Sequence, residues 1–184
     1  KSAFEFISSE KSTVNCEISI ATNCDEAIEK IEDALGLTYT FSAFNKFFLD
    51  ETSKKGVDKV IKESLNKMSK GLGTGLFHGI IRVAYGVESN NTEEIIRGLS
   101  LFSSLYYEAD FAEKSVSISS LADELSNFMI NKKDDFYLEG SPDEKEIALF
   151  KCLYDLYLVT GSFYVLHSIT GLHALVALKE YYDD

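Results

Sequence analysis

Apolar residues recur every three or four positions over most of the chain, which is the spacing of one helix face. Glycines and capping residues separate these segments, Thr92 being one expected cap. The predicted helices cover residues 23–35, 38–49, 56–70, 76–88, 93–112, 120–132 and 144–182. Gly161 and Gly171 are expected to bend the last helix or to let another element approach it closely. The pattern predicts an all-α fold, a multi-helix bundle of about seven helices, with a loop over 133–142.

Residues 1–22 differ from the rest, because apolar and polar residues alternate there with the period of a strand. The alternating apolar residues are Val14, Cys16, Ile18 and Ile20. No second strand pattern in the sequence offers them a partner. The sequence therefore predicts an extended N-terminal arm over 1–22 and a helical domain over 23–184. We expect the arm to pair with a second copy or with sequence outside this chain, or to be poorly ordered.

Two otherwise apolar segments carry polar residues at helical spacing, and together they contain all three histidines of the chain. The polar residues are His78, Arg82, Tyr85 and Glu88 in the first segment, and His167, Thr170 and His173 in the second. Groups of this kind are tolerated inside a protein only when they satisfy one another or line a wet cavity. We therefore predict that His78 and His167 face a common interior from neighbouring helices.

The chain is acidic, since 30 Asp and Glu against 18 Lys and Arg give a formal net charge of −12. This balance argues against binding to nucleic acid or to an anionic membrane, because both need clustered basic residues. No apolar run reaches the roughly 20 residues of a membrane-spanning helix. The 3 cysteines are odd in number and lack a Cys-x-x-Cys motif, which argues against a disulfide framework or a zinc knot. A reducing, cytoplasmic setting is the resulting expectation.

The histidines do not form a familiar metal motif. His167 and His173 diverge by about 120° around a helix, whereas ligand pairs on one helix usually share a face. No HExxH or ExxH sequence occurs. Three histidines from two helices can still converge on a metal or a haem, so that alternative stays open. The glycine-rich residues 71–75 lack the preceding strand and the Lys-Ser/Thr pair of a phosphate-binding loop, which favours a simple turn.

Residues 77–88 (FHGIIRVAYGVE) and 166–175 (LHSITGLHAL) resemble two signature segments of the questin oxidase-like family. One family helix carries His-Gly/Pro-x-Ile-His/Arg-x-x-Tyr-x-x-Glu, and a later helix carries His-x-x-Thr-Ser/Gly-x-x-Ala. The matching positions are His78, Tyr85 and Glu88 in the first segment, and His167, Thr170 and Ala174 in the second. Arg82 stands where fungal members more often have histidine. Because family proteins are longer, the resemblance implies that this chain is the C-terminal half of a larger fold.

The resemblance implies an oxidoreductase that acts on a phenolic or polycyclic aromatic substrate by Baeyer–Villiger-like oxygen insertion. It implies NADPH and dioxygen as cosubstrates, although the sequence contains no Rossmann fingerprint. The implied site is a cavity between the two signature helices, where His78 or His167 deprotonates a phenol and Arg82 holds the developing anion or a peroxide oxygen. The implied substrate-binding residues are Tyr85, Glu88, Thr170 and His173, and Glu88 also orients Arg82.

Two other functions fit the same residues. The chain can be a non-enzymatic helical interaction or effector domain, in which the polar cluster only fixes the register of the helices. It can also be a helical metal- or haem-binding oxygenase with His78 or His167 as a ligand. The expected partners are a small aromatic molecule, and either a second copy of the chain or a missing N-terminal half.

Overall fold

The computed structural model describes residues 28–108, 114–131 and 136–183. Within them lie seven α-helices and one pair of short strands. The helices are α1 (Phe41–Lys55), α2 (Val57–Lys67), α3 (His78–Glu88), α4 (Thr92–Ser104), α5 (Leu121–Asn131), α6 (Pro142–Thr160) and α7 (Phe163–Ala177). The strands are β1 (Lys114–Val116) and β2 (Phe136–Leu138). The predicted all-α class is therefore confirmed. None of the helices in this part of the chain is long and apolar enough to cross a lipid bilayer.

The hydrophobic core is formed by the apolar faces of α1 to α4, closed at one side by the end of α7. Each helix contributes its predicted stripe of apolar residues, spaced three or four apart. The core side chains include Phe44, Phe48, Ile61, Leu65, Ile80, Val83, Leu99, Phe102, Ala174 and Leu178. Burial of this face holds α3 and α4 in a fixed orientation, and α3 is the helix that carries the first signature segment.

Helices α3 and α4 are packed so closely that glycine is required at their contact. A Cβ atom added to Gly79 would lie 2.6 Å from the Cβ of Phe102, and one added to Gly98 would lie 2.7 Å from the backbone nitrogen of Val83. Real Cβ atoms are not found so near other heavy atoms, and the backbone of Val83 cannot move aside as a side chain can. The two glycines therefore bring the two helix backbones into direct contact.

The helix predicted from residue 76 begins instead at His78. Gly75, Leu76 and Phe77 all adopt left-handed backbone conformations, with φ of 58°, 55° and 64°. These conformations are costly for leucine and phenylalanine, so the surrounding packing must hold them. The ring of Phe77 lies against Gly171 of α7, where an added Cβ would be 2.5 Å from Phe77 Cγ. Gly171 is thus a point of close approach, one of the two roles predicted for it.

The segment predicted as one long or kinked helix over 144–182 forms two helices. Helix α6 ends at Thr160, and its C-cap Gly161, which has a φ of 57°, lies at the predicted bend. Helix α6 begins at Pro142, a residue that suits the first helical position, and Ser141 and Glu144 form a capping box there with reciprocal hydrogen bonds.

The short parallel pair of β1 and β2 was not predicted, since β2 falls within the predicted loop. Each strand has three residues, too few to show a periodic pattern. Helix α4 ends at Ser104, eight residues short of its predicted end at 112, and its cap is Asn91 rather than Thr92.

The described part of the helix predicted over 23–35 contains only a 3₁₀ turn, Ile31–Asp33. Helix propensity alone does not stabilise so short an isolated segment. The predicted arm over 1–22, including the alternating Val14, Cys16, Ile18 and Ile20, lies outside the described residues, and the domain boundary stays a prediction.

The substitution Gly98→Ala tests the contact between α3 and α4. We expect it to lower the free energy of unfolding by about 1–2 kcal/mol, because overpacking against the Val83 backbone outweighs the gain of about 1 kcal/mol in helix propensity. Urea unfolding followed by circular dichroism measures the change. The matched control is Gly73→Ala, since Gly73 has a φ of −76° and its nearest neighbours are Phe77 ring atoms at 3.6 Å. Equal effects of the two substitutions would contradict the proposed close contact.

Candidate active site

His78 of α3 and His167 of α7 are in direct contact. Their Nε2 atoms lie 3.1 Å apart, and their ring centroids are 4.8 Å apart with the planes at 66°. The prediction that the two histidines come from neighbouring helices and face each other is therefore confirmed. The predicted interior position is wrong, because His78 is exposed and His167 is half-buried. The reason is that α3 begins at His78, which places this side chain at the rim of the helix pair.

Backbone carbonyl groups fix the orientation of both imidazole rings. Nδ1 of His78 is 2.7 Å from the carbonyl oxygen of Gly75, and Nδ1 of His167 is 2.9 Å from that of Phe163. A carbonyl oxygen only accepts hydrogen bonds, so Nδ1 carries the hydrogen in each ring. In the neutral rings, Nε2 is then a bare acceptor. The two lone pairs therefore face each other, and they can hold one shared proton or one cation.

An aromatic side chain that the sequence analysis missed lies beside this pair. The ring of Phe163 is 4.1 Å from the ring of His167, centroid to centroid, and 58% of Phe163 is exposed. Its signal in the sequence is the spacing of four residues from His167, which puts both side chains on one face of α7. The histidine pair thus opens onto an apolar surface that a flat ring can cover.

Arg82 does not pair with Glu88 as predicted. Its Nε and Nη2 atoms donate to the two carboxylate oxygens of Glu94 in α4, at 2.6 and 3.0 Å. This hydrogen bonding lowers the pKa of Glu94 and raises the pKa of Arg82. Arg82 and Glu88 are about 120° apart around α3, whereas the short turn after α3 brings the first turn of α4 next to Arg82. The arginine therefore links α3 to α4.

The other predicted residues are distributed along the same two helices. Nε2 of His173 is 3.9 Å from Oε1 of Glu88, which forms a second and looser contact between α3 and α7. The Thr170 hydroxyl donates to backbone carbonyls one turn earlier in its own helix, and Tyr85 is 54% exposed. The structure thus brings His78 together with His167, and Glu88 together with His173, but it does not bring Thr170 or Tyr85 to either pair.

The described residues contain no group of three or more His, Cys, Asp or Glu side chains arranged to hold a metal ion. The predicted turn over residues 71–75 packs against α4 and the residues after it. Gly71 lies against the ring of Tyr106, and Gly75 lies against Leu105. This packing fills the space beside both glycines, so the structure does not support a phosphate-binding loop there.

One family model, described as Questin oxidase-like, matches residues 9–157 of the chain. No curated protein and no solved structure matches it. The first signature segment and its helix α3 lie inside the matched residues, whereas α7 with the second segment lies beyond their end. Because the match covers well over half of the sequence, the chain belongs to the questin oxidase-like family.

Proposed function

We propose that the chain is an oxidoreductase that oxidises a phenolic or polycyclic aromatic substrate at the His78–His167 pair. Membership of the questin oxidase-like family supports oxidoreductase chemistry. The observation that carries the proposal is the contact between the two Nε2 atoms, 3.1 Å apart, at the surface where α3 meets α7. Two imidazoles held with their lone pairs facing each other form a good base for one substrate proton.

In the proposed reaction, a phenolic hydroxyl gives its proton to the histidine pair. The proton then lies between the two Nε2 atoms, while both Nδ1–H groups keep their backbone carbonyl partners. Because the rings are already oriented, little reorganisation opposes the transfer. The product is a phenolate, whose electron-rich ring is easier to oxidise than the phenol.

The aromatic rings of the substrate would pack on the exposed face of Phe163, next to His167. Arg82 keeps the proposed role of holding a developing anion. The carboxylate of Glu94 accepts one N–H from Nε and one from Nη2 of Arg82, which leaves the Nη1 hydrogens and the second Nη2 hydrogen for a substrate oxygen. Tyr85, Glu88, Thr170 and His173 complete the proposed substrate contacts along α3 and α7.

The proposed oxygen insertion consumes one molecule of dioxygen. One oxygen atom enters the bond between a carbonyl carbon and its ring neighbour, and the other leaves as water with two electrons from NADPH and two protons. None of the described residues forms a glycine-rich strand–turn–helix loop for a dinucleotide, and Gly71 and Gly75 are occupied by packing. We therefore assign no residue to NADPH and derive no step through it.

The substitutions His78→Ala and His167→Ala test the proposed base. Each should lower turnover at least about 100-fold, since removing a general base costs about that much or more. Neither should change the melting temperature by more than a few degrees, because His78 is exposed and His167 is only half-buried. Oxygen and NADPH consumption with a panel of hydroxyanthraquinones measures turnover. The control Lys59→Ala removes an exposed side chain of α2, a helix that carries neither histidine.

A different result would support the interaction-domain alternative. If both histidine variants lose much of their thermal stability, and the parent protein neither turns over nor is stabilised by any compound in the panel, then the pair serves only to hold α3 against α7.

The geometry of the same pair favours a second candidate, a metal-dependent oxygenase. Histidines that bind metals usually donate the other ring N–H to a carbonyl or carboxylate, as both rings do here. Two Nε2 atoms at 3.1 Å fit one ion at about 2.0–2.1 Å from each, with an angle near 100° between the bonds. Further ligands would come from water or substrate.

Metal analysis separates the two candidates. If the pair is a metal site, calorimetric titration of the metal-free protein with Zn²⁺ should show one site, and His78→Ala and His167→Ala should each weaken it at least about tenfold. The control Cys152→Ser removes a half-buried thiol of α6 and should leave the site unchanged. Equal affinity for Zn²⁺ in the parent and in both histidine variants would exclude a metal at this pair. The pair would then remain a candidate for the general base.

A further inference from the structure

Helix α6 exposes an unusually apolar surface. None of its 19 residues is buried, although more than half of them are apolar. Helices of such composition normally bury at least one face. The best-defined exposed row consists of Ile147, Phe150, Tyr154 and Leu158, whose exposed fractions are 70%, 51%, 48% and 65%. The spacing of three or four residues places all four side chains along one face of α6.

Among the described residues, the neighbouring elements leave this row uncovered. Helix α6 contacts α7 and, to a smaller extent, α5. Near the end of α6, Val159 is 87% exposed, and Phe163 at the start of α7 is 58% exposed. A row of exposed apolar side chains on a folded chain marks an interaction site.

Two opposite charges flank the row on the same side. Lys151 and Asp155 are exposed, and they lie about 40° and 80° around the helix from Ile147. Within the described part of the chain, neither forms an ion pair. A positive and a negative side chain lie one turn apart beside the apolar row. They can therefore pair with the same two side chains of a second α6 that runs in the opposite direction.

We propose that α6 pairs with α6 of a second copy of this chain, antiparallel, about a two-fold axis near Leu153. Residues at equal distances on either side of Leu153 then face each other across the interface. Lys151 of one copy lies opposite Asp155 of the other, and the two-fold axis repeats this contact. Ile147 meets the turn that contains Leu158 and Val159.

The two-fold axis keeps the flanking charges on one side of the interface, so both ion pairs form together. The antiparallel arrangement also places the acidic start of each helix, at Asp143 and Glu144, away from the acidic start of the other. A parallel pair would instead bring the two acidic helix starts to the same end of the interface. The pattern of α6 therefore favours a second copy of the chain over an unrelated partner, which would need a matching arrangement of its own.

Charge exchange tests this interface. Sedimentation velocity over a concentration series should show dimers of the full chain. Lys151→Glu and Asp155→Lys should each weaken the dimer by about tenfold, because two attractive contacts become repulsive. The double variant, Lys151→Glu with Asp155→Lys, should restore the parent affinity, and so should an equimolar mixture of the two single variants. The control Lys59→Glu changes an exposed lysine of α2 and should have no effect.

Circular dichroism should show that each variant is folded, because the substituted positions are exposed. A second variant, Leu158→Glu, places a carboxylate in the apolar row and should give monomers. A parent chain that stays monomeric at all concentrations would overturn the proposal. So would a double variant that is no tighter than the single ones, since only a self-complementary contact is restored by exchange.

Discussion

Helices α3 and α4 are in direct backbone contact at glycines, in addition to the packing of their buried side chains, and the rest of the site depends on that contact. Gly98 lies against the Val83 backbone, and Gly79 lies against Phe102. At this distance α3 cannot rotate about its axis without a steric clash. Its apolar face therefore stays in the core, while His78 faces α7 and Arg82 reaches Glu94 in the first turn of α4.

The histidine pair needs a second constraint, which is the backbone before α3. The three left-handed residues that end at Phe77 turn the chain so that the Gly75 carbonyl accepts from His78 and the Phe77 ring packs on Gly171. The energy that these conformations cost is offset by packing between α3 and α7. The same packing brings the His167 ring to His78. The fixed rings of the two surface histidines thus depend on the contact between Phe77, next to His78, and Gly171, one turn after His167.

Much of this fold follows from local pattern. The stripe of apolar residues predicted most helices, Gly161 marked a real break, and Gly171 marked a close approach. The polar residues at helical spacing in two otherwise apolar segments also predicted that His78 and His167 face each other. The partner of Arg82 was predicted wrongly, because a helical wheel shows only neighbours on the same helix and Glu94 belongs to the next one. The strand pair was missed because three residues are too short to show periodicity.

By itself, the sequence determined the helical class, the core-facing residues and the two segments that carry the histidines, because these depend on the repeat of one helix and on side-chain polarity. It also determined the resemblance to the questin oxidase-like family. Only the tertiary structure decided that the histidine pair lies at the surface beside Phe163, that both Nδ1 atoms donate to carbonyls, and that Arg82 is held by Glu94. The physical reason is that exposure and hydrogen-bond partners depend on how helices are placed relative to one another, and that placement is set by contacts between residues far apart in the chain.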